Sequence, residues 1–480
     1  MNQTSVPKKG LWIDGRTLET ETYSPIVSKS SGRIIGEVAK AHKEQVDIAV
    51  NAAHRAFQTY REMPSYARAD VLYQVSQALE KRLDEAARLI AEEAGKPIKT
   101  ARGEVMRAVQ TYRFAAEEAK RIGGETIPMD AAHGGEQKIG MTWREPLGVV
   151  AAIAPFNFPL NLVAHKVGPA LAAGNTVVLK PAGATPLSSY YVAELFHEAG
   201  LPPGVLNVVS GPGGEIGDVL TTHPLVKLIS FTGSPAVGKH IREKSGLKRT
   251  ILELGSNSAV IVEPDAPFDF AVMRTAEGAF QYAGQVCISV QRIYVHKNIY
   301  KRFLSALTET IRAFKLGDPL DESTDVGPLI HEDEAQRIHN WVEEALAKGG
   351  RLVHGAMPQG SYVAPTLLVD VDPSSKVIQE EVFGPVASII PYDDLEQAIQ
   401  MVNNSKYGLN VGLFTRDIAR AFWAAKKLET GGVLINDVPT FRVDHIPYGG
   451  VKESGMGREG VKYAIEEMTE LKFVMVNLKV

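Results

Sequence analysis

From residue 147 onward, short apolar runs alternate with helical stretches: "LGVVAAIA", "NTVVLK", "VLNVVS", "VKLISF" and "TILEL". Strand and helix taking turns at this spacing predict a parallel sheet with crossover helices, an open doubly wound α/β domain. Ligands of such sheets lie beyond the carboxyl ends of the strands. The residues that follow "VVAAIA", "VVLK", "LISF" and "ILEL" are therefore the first places to expect a site.

A second α/β block begins near "SNSAVIVEPDAPFD" and takes in "IYVHKNIYKRFL", "EEVFGPVASIIPY" and "GLNVGLFT". The first third is helical in pattern. Leu72, Val75, Leu79, Leu83, Ala86 and Ile90 recur at three- and four-residue steps before the stop signal of Gly95 and Pro97, and Val46, Ala49, Ala53 and Phe57 make a similar stripe. The tail "ELKFVMVNLKV" alternates like a terminal strand. With "EQKIGMTWREP" near residue 140 it is expected to form a small extra sheet suited to contact between copies. A chain of 480 residues has room for roughly three domains of about 150 residues each.

Composition narrows the function classes. The chain is 44% hydrophobic and 22% charged, as in ordinary globular proteins. Its formal net charge is -4 and it has no Lys/Arg run, so neither a nucleic-acid surface nor a polybasic membrane anchor is expected. The start, "MNQTSVPKKGLWIDGR", shows no apolar run of a secretory signal. Pro155, Asn157, Pro159 and Asn161 interrupt the most membrane-like segment, "LGVVAAIAPFNFPLNLVA". Near-absence of cysteine suits a reducing compartment, and the expectation is a cytoplasmic protein with small-molecule partners. The histidines have no ligand-like spacing, and no metal is expected.

Two glycine-rich stretches need separating from better-known motifs. "GSPAVGKH" at 233–240 nearly matches the nucleotide-binding pattern G-x-x-x-x-G-K-[ST], but His240 stands where a hydroxyl would hold Mg²⁺. It still reads as a strand, a tight turn and a helix start, whose N–H groups suit a pyrophosphate. "GPGGEIG" at 211–217 fails G-x-G-x-x-G, because Ile216 occupies the last glycine position.

Cys287, in "FQYAGQVCISVQRI", is the only cysteine. A thiol used once is either a small buried hydrophobe or a nucleophile that needs a base and an oxyanion partner. Glu253, after the apolar strand of "ILELGSN", is a candidate base, since burial raises a carboxyl toward the useful range. Asn157, in "PFNFP", offers a side-chain donor for an oxyanion, with the Cys287 backbone N–H as a second. Taken singly, each also has a bland reading as core, paired charge or turn residue.

Together with "GPALAAGNTVVLKPA", "FTGSPAVG", "LELGSNS", "GQVC", "EEVFGPV", "YGLNVGLFT" and "PYGGVKESGMGREG", these residues give a chain that resembles the NAD(P)-dependent aldehyde dehydrogenase superfamily over nearly its whole length. "NFPLNLVAHK" and "NDVPTFRVDH" look most like members handling lactaldehyde and other small polar aldehydes. The resemblance implies two doubly wound α/β domains and a small β oligomerisation element. The expected division is a cofactor-binding domain of residues 1–127 and 147–255, a catalytic domain of 256–461 and an oligomerisation element of 128–146 and 462–480, in a homodimer or homotetramer. It implies that Cys287 attacks the aldehyde, that Asn157 and the Cys287 N–H hold the oxyanion, and that Glu253 activates the water that hydrolyses the thioester. Glu381 and Phe383 would position the nicotinamide ribose and ring, Lys180 the adenosine ribose and Ser234 the pyrophosphate. The remaining cofactor wall would be Ile153, Ala154, Pro155, Phe156, Ala182, Gly183, Gly213, Gly217, Phe231, Thr232, Gly233, Val237, Leu254 and Gly255.

Departures from the family pattern matter for cofactor and substrate. "LELGSN" replaces the frequent "LELGGK", and "KPAG" replaces "KPAE", so Gly183 stands where a glutamate would contact the adenosine ribose. That change favours acceptance of NADP as well as NAD. Arg107 matches a position where relatives with anionic aldehydes carry a substrate-binding arginine, and Arg442 and His165 are further candidates to face the tunnel. Val286 departs from the arginine that some phosphate- and phosphonate-aldehyde enzymes carry before the nucleophile. An anionic-aldehyde or semialdehyde dehydrogenase is thus the alternative to a neutral-aldehyde enzyme. A CoA-acylating enzyme commonly lacks the glutamate base, and an inactive binding or structural homologue would not need all three residues.

Overall fold

The computed structural model describes residues 6–479; the outermost ends of the expected domain division, 1–5 and 480, lie outside them. "VVAAI", "TVVLK" and "LNV" are buried along their whole length, as strands covered by helices on both faces must be. They form the centre of an eight-stranded sheet in the order Gly455–Met456, Arg249–Glu253, Val226–Thr232, Val149–Ile153, Thr176–Lys180, Leu206–Val208, Leu11–Ile13 and Arg16–Leu18. The five strands from Arg249–Glu253 to Leu206–Val208 run parallel. The chain winds from Val149–Ile153 out to Leu206–Val208, then returns to add Val226–Thr232 on the other side. The order therefore reverses between Val149–Ile153 and Val226–Thr232, where a crevice opens.

A second sheet of seven strands holds Ala259–Val262, Arg292–His296 and Asn410–Phe414 at its centre. Only its edge strand Arg351–His354 runs antiparallel. The tail pairs with the segment near residue 140 as expected: Thr469–Asn477 lies antiparallel to Lys138–Pro146, and Thr126–Ile127 completes a three-stranded sheet. Gly455–Met456, far along the chain, pairs with Leu252 and Glu253. It ties the end of the second block to the edge of the first sheet.

The helices follow the sequence stripes with one break. Val46, Ala49, Ala53 and Phe57 are buried on Lys43–Tyr60. The stripe from Leu72 to Ile90 divides at Arg82, giving Ser65–Lys81 and Leu83–Ala94, and Gly95 ends the second in the left-handed conformation. Asn161–Ala173 is buried on every side, an inner-layer helix directly behind the crevice. Among the described residues no helix is long and apolar enough to cross a membrane.

Candidate active site

A strained reversal delivers the cysteine. Helix Phe268–Phe280 ends in Tyr282, Ala283 and Gly284, all in the left-handed region with φ of 52°, 52° and 68°. The two non-glycine residues cost about 1–3 kcal/mol each in such a conformation, so packing must enforce it. It does: the Tyr282 hydroxyl donates to the Ala94 carbonyl at 3.0 Å, and the Gln285 side chain accepts from Ile330 N–H at 2.9 Å. A Cβ on Gly284 would lie 2.1 Å from the Gly384 carbonyl oxygen. Cys287 follows, half-buried, with Sγ 3.1 Å from the Tyr448 hydroxyl. Burial pushes its thiol up to about 11.

Asn157 and Glu253 sit where two strands of the first sheet end. Asn157 is buried and donates from Nδ2 to the Gln285 carbonyl at 2.9 Å, which fixes it beside the cysteine loop. Glu253 is buried and neither of its oxygens has a hydrogen-bond partner among the described residues. Burial first, and then the negative charge of Glu459, push Glu253 well above the usual carboxylate range. Glu459 goes the other way: burial opposes its ionisation, but Lys166, His165 and Arg442 hold it down to about 2. Lys166 Nζ lies 3.2 Å from Glu459 and 2.7 Å from Thr232 Oγ1. Two neighbouring buried carboxyls are thus pushed in opposite directions.

Two cavities flank these segments, one bordered by Asn157 and Gln285 and the other by Phe158, Val286 and Cys287. One, of about 530 Å³, lies at the switch point of the first sheet, lined by Pro155, Phe156, Asn157, Ala182, Gly183, Thr232, Gly233, Ser234, Glu381 and Phe383 among others. Ser234 caps helix Pro235–Lys244, accepting from Val237 N–H at 3.4 Å. Phe156 and Phe383 meet edge to face at 5.8 Å. Ser256 N–H donates to Glu381 at 3.0 Å, while burial pushes the Glu381 carboxyl up to about 7. The altered turn after Glu253 is tied into the second block, with Asn257 donating to the Ile378 carbonyl at 2.9 Å. A helix N-terminus, an aromatic pair and a carboxylate in one cleft fit a dinucleotide.

Other residues expected to hold the cofactor lie outside the lining of this cavity. Ile153, Ala154, Phe231 and Leu254 are buried in the sheet or just past it. Gly255 packs under Glu381 and Val237 is exposed on its helix. Gly213 and Gly217 belong to a separate helix, Gly213–Thr222, and do not line the cavity. Lys180 is buried at its strand end with Nζ donating to the Pro181 carbonyl at 3.2 Å, and burial lowers its pKa. His240, of the near-miss phosphate motif, pairs with Asp218 at 2.7 Å.

The second cavity, of about 360 Å³, leads to Cys287 past Lys99, Thr100, Arg107, Phe158, Val286, Thr440, Arg442 and Tyr448. Arg107 grips Asp444 through two hydrogen bonds of 3.1 and 2.7 Å. Arg442, almost fully buried, donates to Glu459 at 3.0 Å and lies 3.6 Å above the Tyr448 ring. His165 is not on the cavity wall. It is 1% exposed, behind these groups, with Nε2 2.8 Å from Asp444. Burial and the Arg442 charge lower its pKa. Asp444, which sequence reasoning did not single out, therefore anchors Arg107 and His165, and Asn161 Nδ2 donates to it at 3.2 Å. Burial opposes its ionisation, but His165 and Arg107 hold its carboxyl far below the usual range. Tyr448, Lys166 and Glu459 were also missed. Tyr448 and Glu459 do stand in "PYGGVKESGMGREG", but no local pattern marks their partners.

Two doubly wound sheets, a dinucleotide-sized cleft at a switch point and a thiol lining the neighbouring cavity define a nucleotide-dependent dehydrogenase. The chain belongs to the aldehyde dehydrogenase family, whose model matches residues 12–474. It is 47% identical over 475 residues to the 3-sulfolactaldehyde dehydrogenase of Priestia aryabhattai, covering 99% of both chains. The lactaldehyde dehydrogenase of Methanococcus aeolicus is 38% identical over 98% of this chain and 99% of its own. The solved NADP-dependent glyceraldehyde-3-phosphate dehydrogenase of Bacillus halodurans, complexed with NADP, superposes with a TM-score of 0.95 at 38% identity, covering 98% of this chain and 99% of that one. The protein is accordingly an NAD(P)-dependent aldehyde dehydrogenase.

Proposed function

We propose that the enzyme oxidises a short hydroxyaldehyde carrying a fixed negative charge, of the 3-sulfolactaldehyde kind, to its free carboxylic acid. The carrying observation is the charge around the inner cavity. Arg107 and Arg442 line it, whereas their carboxylate partners Asp444 and Glu459 do not, and Glu104 on the wall is paired with Lys96. The guanidinium of Arg107 has five donors and its grip on Asp444 uses two. Thr100 and Thr440 supply hydroxyls on the same wall, and Val286 adds no further cation there, which suits a sulfonate or carboxylate better than a phosphate.

In this reading Cys287 Sγ bonds to the aldehyde carbon, and Asn157 Nδ2 and the Cys287 N–H hold the oxygen that gains the electron pair. NADP⁺ or NAD⁺, when bound, accepts the hydride. Glu381 and Phe383 border that cofactor, with Ser234 toward its pyrophosphate. Glu253 takes the proton from the water that hydrolyses the thioester on Cys287. Substituting Arg107→Ala should raise KM for a sulfonated or carboxylated aldehyde about tenfold or more, and change it less than about twofold for neutral lactaldehyde. Equal effects in steady-state assays with the two substrates would return Arg107 to a purely structural role.

The cofactor preference rests on Gly183. Its backbone is not in the left-handed region, and a Cβ there would meet nothing within 4 Å, so the turn itself does not demand glycine. Absence of a side chain leaves room for a 2′-phosphate, with Lys180 three residues earlier. Gly183→Glu should lower kcat/KM for NADP⁺ about tenfold while sparing NAD⁺, since a carboxylate repels the phosphate and accepts from a ribose hydroxyl. A wild type that ignores NADP⁺ would refute the argument. The same reading takes the three-stranded sheet as the contact joining two or four copies in the cytoplasm. Trp143, Leu471 and Phe473 are exposed on it, and sedimentation of the wild type reads that state directly.

A further inference from the structure

We propose that Tyr448 is a further catalytic residue: its phenol O–H donates to Cys287 Sγ and stabilises the thiolate that forms for attack on the aldehyde. The proposal rests on Cys287 being the nucleophile. Tyr448 is 4% exposed, and its hydroxyl lies 3.1 Å from Sγ. A buried phenol needs an acceptor, and sulfur accepts weakly as a thiol but strongly once ionised.

The surroundings make this hydroxyl a fixed and strong donor. Tyr448 and Glu459 exchange backbone hydrogen bonds of 3.0 and 2.7 Å. The Glu459 carboxylate in turn accepts from Arg442 Nη2 at 3.0 Å, and the Arg442 Cζ lies 3.6 Å from the centre of the Tyr448 ring. A cation over the ring face draws electron density from it and strengthens O–H donation. On its remaining sides the ring packs with Ile288 and Leu409. Ring, guanidinium and carboxylate therefore form one rigid unit against the sulfur.

The hydrogen bond acts against burial, which on balance keeps the resting thiol protonated. Burial is the largest influence on the Cys287 thiol and raises it; the Tyr448 hydrogen bond is the largest acting the other way, followed by Arg442. Burial and the Cys287 charge push Tyr448 itself well above its ordinary value, so it keeps its proton and acts only as a donor. The thiol first loses its proton to solvent; during attack a sulfur electron pair then forms the S–C bond, the carbonyl pair moves onto oxygen, and the phenol proton stays on Tyr448. The hydrogen bond weakens as the sulfur loses its charge.

Because Cys287 is the only cysteine, alkylation by iodoacetamide reads it alone, without aldehyde or cofactor. In Tyr448→Phe the pH–rate profile of alkylation should move to higher pH, with the rate at neutral pH falling about tenfold or more. A merely structural role would lower thermal stability and leave the profile in place, and an unmoved profile overturns the proposal. Should the phenylalanine variant not fold, a fluorinated tyrosine at 448 keeps the ring and acidifies the hydroxyl. It should move the profile to lower pH, and no movement again overturns the proposal. Failure of the underlying nucleophile reading is seen separately, as retained turnover in Cys287→Ser.

Discussion

Cys287→Ser should bind NADP⁺ with unchanged affinity and lose turnover by more than about a thousandfold. The two halves of this expectation come from different parts of the molecule. The cofactor cleft is built on Pro155, Phe156, Gly183 and Ser234 and does not include the sulfur. The left-handed run that presents residue 287 lies upstream, at 282–284, and is untouched by the exchange. What changes is the reacting atom: a hydroxyl in the same place is far harder to ionise than a thiol and gains too little from the Tyr448 hydrogen bond to compensate. Binding is read by quenching of protein fluorescence, turnover by absorbance of the reduced cofactor. Substantial turnover would exclude Cys287 as the nucleophile.

Glu253→Gln should form the thioester once and then stall. Rapid mixing with aldehyde and NADP⁺ should give a burst of reduced cofactor equal to the enzyme present, and a steady state slower than wild type by about a hundredfold or more. The pH dependence follows from burial. Glu253 acts as a base only when ionised, and burial together with the Glu459 charge raises its pKa. Hydrolysis in the wild type should therefore rise with pH through that raised value, and this limb should vanish in the glutamine variant. A steady state equal to the wild type would assign water activation to another group.

The readable part of the fold was the part dictated by burial on both faces. "VVAAI", "AVIV" and "NVGLF" are fully buried strands, and nothing but an inner parallel strand leaves so continuous an apolar run. Gly455–Met456 is a strand of two residues, too short for any pattern to announce that it joins the first sheet. The site divides in the same way. Cys287, Glu253 and Asn157 were conspicuous because each breaks its local context: a sole thiol, a carboxylate at an apolar strand end, a carboxamide between prolines. Asp444 breaks nothing locally. Its importance comes from Arg107 and His165, 337 and 279 residues away, and only the folded chain puts them together. His165 shares a segment with "NFPLNLVAHK" and lies on a helix buried all round, where it stands behind the cavity wall 3.2 Å from Arg442.

The sequence separation of 161 from Cys287 to Tyr448 also sets an order in time. At about 5–20 residues per second, a ribosome finishes the cysteine roughly 10–30 seconds before the tyrosine, the arginine above it and the Glu459 clamp. For that interval the nascent chain carries a thiol of ordinary acidity, without the packing that later governs its ionisation. The newest molecules of this enzyme thus present the thiol without the cavity that admits only what fits it, and that selection is in place only when the last stretch of chain has threaded back to the first sheet.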